Sequence, residues 1–281
     1  MDIIEVKEFI KYSSIGKIVR KLVIPYFWCS SKYKDLKFWL RKNGLSKPSK
    51  YLYLEKWKNI HNGEKCFIVA TGPSLTFEDL DKISDAGVYS FGMNSCVLAL
   101  DQTKWVPDIL GVQDEFVYKK IEKELIKESK SRLKGRIWVS DNITSVFRSA
   151  NQYLEFSLNY SNHKFDPDKT QKAKFSCDVS YGIYDNYSII FAMLQLAVYM
   201  GFKTIYLLGC DCNYELPKGN FIEHGAIVPN KGILGNRLIY LHHEFRKFAD
   251  SNHVEVYNCT RGGMLEEYPR KTLEEVLRSN K

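Results

Sequence analysis

Lys65–Ala70 (KCFIVA) is an apolar run of strand length that stops at Thr71-Gly72-Pro73-Ser74-Leu75, after which Phe77–Ile83 resumes at helical spacing. Strand, glycine turn and helix follow one another without a long connection, and the pattern recurs. Val88–Gly92 ends at Met93-Asn94-Ser95, Ile109–Val112 runs into Gln113-Asp114, and Phe116–Lys134 is a charged amphipathic helix before the strand Arg136–Ser140. Ser188–Met200 is a helix closed by Gly201, and Lys203–Leu208 is a buried strand ending in Gly209-Cys210-Asp211. Helix Leu238–Ala249, strand Val254–Tyr257 and helix Thr272–Leu277 complete the series. Short apolar strands alternating with helices predict an α/β fold: a mostly parallel sheet with helices on both faces.

Two stretches break the rhythm. Polar residues scattered among aromatics from Asn151 to Ser180, and glycines and asparagines over Asn213–Gly235, predict lid or loop regions near 151–187 and 212–236. Before Gly63 the chain changes character. Between Lys7 and Lys65, 15 Lys and Arg face four acids and interleave with tyrosine, tryptophan and phenylalanine. The expected organisation is a basic aromatic segment over 1–62, a helical appendage, and a catalytic domain over 63–281. Such a segment suits either a solvated cover of Lys stems or a peripheral contact with an anionic membrane, and no nucleic-acid motif accompanies it. The longest apolar run, Ile189–Phe202, carries Gln195 and is short for a bilayer, and the acidic opening MDIIEVKEF does not resemble a signal peptide. Seven scattered cysteines are too few for a disulfide scaffold. The expected location is cytoplasmic, with a peripheral contact on the inner face of the cell membrane as the alternative.

In parallel sheets the ligand lies beyond the carboxyl ends of the strands, where the strand order reverses. That rule selects Thr71–Ser74, Met93–Ser95, Gln113–Asp114, Gly209–Tyr214 and Asn258–Gly263. The turn Gly72, Pro73, Ser74 allows close backbone approach and opens a helix, a setting for phosphate, without spelling either standard nucleotide loop. Asp211 at a strand end can accept two hydroxyl hydrogen bonds. Ser188 precedes an apolar helix as an N-cap and a second phosphate cradle. Arg261 offers a bidentate fork beside Gly262 and Gly263, or a structural pair with Glu266. No Asp-x-Asp falls at the selected strand ends, no histidine–carboxylate cluster has metal-ligand spacing, and Cys210-Asp211-Cys212 supplies too few ligands, so no metal is expected.

Phe67–Leu75 (FIVATGPSL), Asn94, Gln195–Asp211 and Val256–Leu265 (VYNCTRGGML), taken in order, resemble a family over about residues 63–270. It is the group of bacterial polysaccharide-cluster proteins sharing a domain with the archaeal 6-hydroxymethylpterin diphosphokinase, a domain also similar to the sialyltransferases of glycosyltransferase family 42. The resemblance implies a Rossmann-like sheet holding a nucleotide-linked donor, with Gly72, Pro73, Ser74 and Asn94 on the nucleotide. Asp114 lies near a third-strand asparagine of those enzymes, Gly209 and Asp211 keep their G-x-D, and Tyr214 is displaced by one position from a phosphate-holding tyrosine. Thr71 replaces their asparagine. Their catalytic base falls nearer Leu234–Asn236.

Transfer to an acceptor hydroxyl needs a base, and His224, in a glycine-flanked loop after Asp211, is the candidate among six histidines. The expected function is an inverting, metal-independent glycosyltransferase. Its donor is a nucleotide sugar, CMP-linked and sialic-acid-like, with no other cofactor, and its acceptor is a surface polysaccharide or a lipid-linked glycan. Ser188 and Tyr214 would sit at the phosphate, with Arg261 and Gly262 on the substrate. The alternatives are a pterin pyrophosphokinase using ATP and Mg²⁺, and a non-catalytic nucleotide-binding assembly module.

Overall fold

The computed structural model describes residue 29 and residues 32–164, 172–214, 219–223, 225 and 231–278. Seven parallel strands form one sheet in the order β5-β4-β3-β2-β1-β8-β9. They are β1 (Lys65–Val69), β2 (Ser90–Met93), β3 (Ile109–Val112), β4 (Ile137–Ser140), β5 (Leu154–Phe156), β8 (Thr204–Leu208) and β9 (Glu255–Asn258). Two short strands, β6 (Leu158–Asn159) and β7 (Ile183–Tyr184), pair parallel in a separate ribbon. The helices are α1 (residues 32–42), α2 (Leu52–Glu55), α3 (Phe77–Ala86), α4 (Glu115–Ser129), α5 (Asp141–Val146), α6 (Ile189–Met200), α7 (Lys231–Ser251) and α8 (Leu273–Arg278).

The alternation of side chains along each strand divides the core in two. Cys66 and Ile68 face one side with Phe91, Met93 and the helices α6 and α7. Phe67 and Val69 face the other, with Leu80 of α3, Tyr118 and Ile121 of α4 and Val276 of α8. Both faces are therefore covered, as continuous apolar strands require. Gly111 admits α6 to the sheet, because a Cβ there would lie 1.7 Å from Met193 Cε. Gln195, buried in the middle of α6, forms four hydrogen bonds. Its Oε1 accepts from Ser176 N (2.8 Å) and Tyr184 N (3.2 Å), and its Nε2 donates to Phe191 O (2.8 Å) and Tyr184 O (3.0 Å). One amide thus ties the ribbon to the central helix. Among the described residues no helix is long and apolar enough to cross a membrane.

The strand order reverses at β1. The chain steps outward from β1 to β5, then crosses through α6 to enter β8 on the other side of β1. The crevice predicted by this topology lies over the carboxyl ends of β1 and β8.

Within the 151–187 stretch, expected as lid or loop, the chain forms β5, β6 and β7. Three-residue strands carry little hydrophobic pattern, so side chains hold this edge instead. Glu155 accepts from Tyr51 Oη (2.9 Å) and from Lys50 and Thr144, and Tyr53 Oη donates to Glu155 O (2.9 Å) while accepting from Trp138 Nε1 (2.7 Å). The loop expected to reach residue 236 gives way to α7 at Lys231, and residues 215–218, 224 and 226–230 lie outside the described residues. Residues 49–62 pack on the sheet through Tyr51 and Leu54. Residues 32–42 of the basic segment form α1, and Arg41 is buried there, donating to Ser157 Oγ (2.9 Å).

Candidate functional site

Three strand ends interlock at the crevice. Gly72 N donates to Gly209 O (2.8 Å), Ser74 Oγ donates to Asp211 Oδ2 (2.8 Å), and Cys210 N donates to Thr260 Oγ1 (2.9 Å). Gly72 is obligatory for this contact: a Cβ there would stand 1.9 Å from Asp211 Oδ2 and 2.5 Å from Gly209 O. Gly209 adopts φ +68°, which turns the chain from β8 toward Asp211. Asp211 is 5% exposed, and burial raises its carboxyl above the usual range against the lowering influence of Ser74.

The turn differs from a simple helix-end phosphate cradle. Helix α3 begins only at Phe77, and Thr76 and Asp79 cap it reciprocally: Asp79 N donates to Thr76 Oγ1 (3.2 Å) and Thr76 N donates to Asp79 Oδ2 (3.0 Å). Those first-turn donors are already occupied. Arg261 completes this knot. Its Nη1 donates to Asp79 Oδ1 (2.8 Å), its Nη2 donates to Asp79 Oδ2 and reaches Ser74 O (3.2 Å), so the fork predicted for substrate grips a carboxylate of α3. Burial pushes the Asp79 carboxyl up, but the hydrogen bonds from Arg261 and Thr76 outweigh it and leave a net lowering. Glu266, the partner expected for Arg261, pairs instead with Arg270.

Of the paired glycines, Gly262 (φ +66°) faces open space and its carbonyl accepts from Arg270 Nη2 (2.9 Å). Gly263 is the one in the crevice, where a Cβ would meet Asp211 O at 2.8 Å. Asp114 caps α4, its Oδ1 accepting from Phe116 N (2.8 Å) and Val117 N (3.1 Å), and Ser188 caps α6 through a 3.5 Å contact from Ile190 N. Tyr214 packs against the core, burial raising its phenol pKa, and Gly235 of α7 crosses beside it with a virtual Cβ 3.8 Å from Tyr214 Cδ2. Pro73 holds the turn between Gly72 and Ser74. His224 lies outside the described residues.

At the ends of β2 and β3 the hydrogen bonding is incomplete. Asn94 Oδ1, Ser95 Oγ and Gln113 Oε1 are buried without a partner among the described residues. Asn94 adopts φ +47°, an uncommon conformation that asparagine tolerates, directly after β2. Gln113 is fixed from its other end, Nε2 donating to Asp185 Oδ1 (2.8 Å), while Ser140 Oγ donates to its carbonyl (2.8 Å). Asp185 also accepts from Tyr187 N (3.0 Å), whose ring lies 4.6 Å from the Arg237 guanidinium. Burial raises the Tyr160 phenol pKa first, and Asp185, Asp141, Glu115 and Asp114 push it further. Two buried amide oxygens call for a ligand that donates N–H or O–H groups.

Phe221 N donates to Thr71 O (2.7 Å), and its ring stacks edge-on with Phe77 at 4.8 Å, so residues 219–223 lie across the β1 turn. Sequence reasoning selected Gln113 with Asp114 as a strand end of the crevice but gave the binding role to Asp114, and it assigned no role to Asp185 or Phe221. A glutamine directly after a strand, and a lone phenylalanine within a Gly/Asn loop, were the available signals. Among the described residues no group of three or more His, Cys, Asp or Glu side chains is placed to hold a metal ion.

The family model described as "6-hydroxymethylpterin diphosphokinase MptE-like" matches residues 42–216, more than half of the chain. Among solved structures, the MAf glycosyltransferase from Magnetospirillum magneticum AMB-1 is similar over 80% of this chain, at 18% identity and a TM-score of 0.48. This chain spans 38% of that protein's length. No curated protein matches the chain.

Proposed function

The chain belongs to the 6-hydroxymethylpterin diphosphokinase MptE-like family, and from that premise we propose that it is a group-transfer enzyme gripping a nucleotide-activated donor over the carboxyl ends of β1, β2, β3 and β8. The observation that carries this reading is the trio of buried polar atoms without a partner among the described residues, Asn94 Oδ1, Ser95 Oγ and Gln113 Oε1. Leaving such atoms without partners costs about 1–3 kcal/mol each, a cost a bound ligand removes.

The reaction we favour is glycosyl transfer from a nucleotide sugar, CMP-linked and sialic-acid-like, to a polysaccharide or lipid-linked acceptor. Asn94 and Gln113 would accept hydrogen bonds from the base or sugar of the donor. Ser74 and Asp211, already joined, would present a hydroxyl and a carboxylate to the ribose, with Gly72, Pro73 and Gly209 keeping the backbone close. Ser188 and Tyr214 would border the phosphate. Arg261 and Gly262 would act through the loop they shape rather than on the sugar acid directly. An acceptor hydroxyl, losing its proton to His224, would attack the anomeric carbon. A new C–O bond forms, the bond to the nucleotide phosphate breaks, and the nucleotide leaves with the electron pair, giving inversion without a metal.

A second reading is favoured by the family's description: diphosphoryl transfer from ATP to a pterin-like alcohol, with Mg²⁺. Hydrolysis and transfer assays across CMP-, UDP- and GDP-sugars and ATP, with and without EDTA, separate the two. Turnover of a sugar nucleotide in EDTA supports the first. Metal-dependent ATP consumption with no sugar-nucleotide turnover replaces it with the second. Nucleotide binding without turnover, unchanged by His224→Ala, indicates a binding module, and no calorimetric heat with any nucleotide refutes the crevice altogether.

A further inference from the structure

We infer that α1 is an interfacial helix that docks the protein on an anionic lipid surface. The inference is independent of the chemistry at the crevice. Helix α1 carries aromatic side chains on two opposite sides. Its inner side carries Lys34, Phe38 and Arg41: Phe38 packs on Tyr184 (5.1 Å between ring centroids) and Tyr181 (6.5 Å), and Lys34 pairs with Asp141 (3.1 Å). At about 100° per residue, Tyr33, Leu36 and Trp39 fall within an arc of roughly 120° on the opposite side. They are 57%, 51% and 53% exposed. A folded protein exposes isolated apolar side chains freely, but a leucine between two large aromatics along one helix face is a patch.

The charge around this patch selects its partner. Over residues 32–58 the chain carries nine Lys and Arg against Asp35 and Glu55. Lys37 and Lys42 lie on either flank of the arc, and Lys37 Nζ sits 4.3 Å from the Tyr33 ring. Gly44, at φ +70°, ends the helix and folds Leu45 back so that Leu45 N donates to Leu40 O (2.9 Å), leaving Leu45 66% exposed. Beside α1 opens a cleft of about 470 Å³ lined by Arg41, Lys42, Lys47 and Lys58, with Glu55 and Asp178 as its counter-charges. Aromatic and leucine side chains flanked by lysines suit the boundary between headgroups and acyl chains. A neutral protein partner of matching shape would leave the surplus of positive charge without its counterpart. A sheet of anionic headgroups supplies it over the whole face.

The test is co-sedimentation of the full chain with phosphatidylcholine vesicles containing phosphatidylglycerol, against vesicles of phosphatidylcholine alone. The wild type should bind the anionic vesicles, lose that binding at high salt, and ignore the neutral ones. Lys37→Gln and Lys42→Gln should each weaken binding about fivefold. Leu36→Ser/Trp39→Ser should abolish it while far-ultraviolet circular dichroism stays unchanged, since neither side chain is in the core. Equal binding to both vesicles, no binding at all, or full binding by the Leu36→Ser/Trp39→Ser variant overturns the inference. A sedimentation-equilibrium dimer that this variant converts to monomer, with vesicle binding intact, assigns the face to a second copy and overturns it as well.

Discussion

Replacing Gly72 by alanine tests the geometry of the crevice at its tightest point. The added Cβ would stand 1.9 Å from Asp211 Oδ2 and 2.5 Å from Gly209 O. The carbonyl belongs to a backbone held on both sides, so the Asp211 side chain must swing away or the β1 turn must lift. Swinging away breaks the 2.8 Å hydrogen bond from Ser74 Oγ. Overpacking costs about 1–3 kcal/mol and a hydrogen bond to a charged acceptor about 1.5–3 kcal/mol. Together they predict a loss of about 3–5 kcal/mol in urea denaturation at neutral pH. The control is Gly219→Ala in the loop across the same turn, where the nearest atom to a Cβ is Glu223 Oε1 at 3.9 Å, and where the change should stay within about 0.5 kcal/mol. The pH dependence has a defined sign. Burial already raises the Asp211 carboxyl, and losing Ser74 raises it further. A carboxyl raised in the folded state costs stability as pH rises from the unfolded value through the folded one. The gap between Gly72→Ala and wild type should therefore narrow on acidification into the carboxylate range. Equal midpoints for Gly72→Ala and Gly219→Ala at neutral pH would refute the packing argument.

Three further outcomes are expected. Asn94→Gly keeps the positive φ and removes the unpartnered oxygen, so affinity for the best-bound nucleotide should fall about tenfold while stability shifts by less than about 1 kcal/mol; unchanged calorimetric affinity would show that this oxygen does not touch the ligand. Gln195→Leu leaves the ribbon amides of Ser176 and Tyr184 unpaired in the core and should cost about 3 kcal/mol by denaturation, with a loss below about 1 kcal/mol contradicting its role as a tie. His242 is buried, its Nδ1 3.0 Å from Tyr268 Oη, and desolvation pulls its pKa down to about 3. Stability should thus be intact above pH ~6.5 and fall by up to about 1.4 kcal/mol per pH unit below it; a wild-type slope between pH ~6.5 and ~4.5 no steeper than that of His242→Gln would remove the histidine from the account.

The sheet was legible because its strands are short, apolar and stopped by glycine or asparagine. Ile109–Val112 coincides with β3, and Lys65–Ala70 overruns β1 by a single residue. The switch point followed from those stops and brought Ser74 and Asp211 together correctly. Glu155 and its partners were invisible, because the contacts that hold β5 come from residues about a hundred positions earlier, in 50–53. Arg261 illustrates a different limit. Its fork was evident, but whether a fork takes a phosphate or a neighbouring carboxylate depends on Asp79, which meets Arg261 only once the start of α3 and the loop after β9 are brought together. Gly262 and Gly263 were likewise indistinguishable until their surroundings were known.

The β6–β7 ribbon has a mechanical consequence. Neighbouring residues serve different elements: the Tyr184 ring bears on Phe38 of α1, and the Asp185 carboxylate holds the Gln113 amide. Gly182 removes the slack, since a Cβ there would lie 3.1 Å from Phe38 Cδ2. Strand β7 and the residue after it thus join α1 to the β3 wall of the crevice. One peptide bond separates the two contacts.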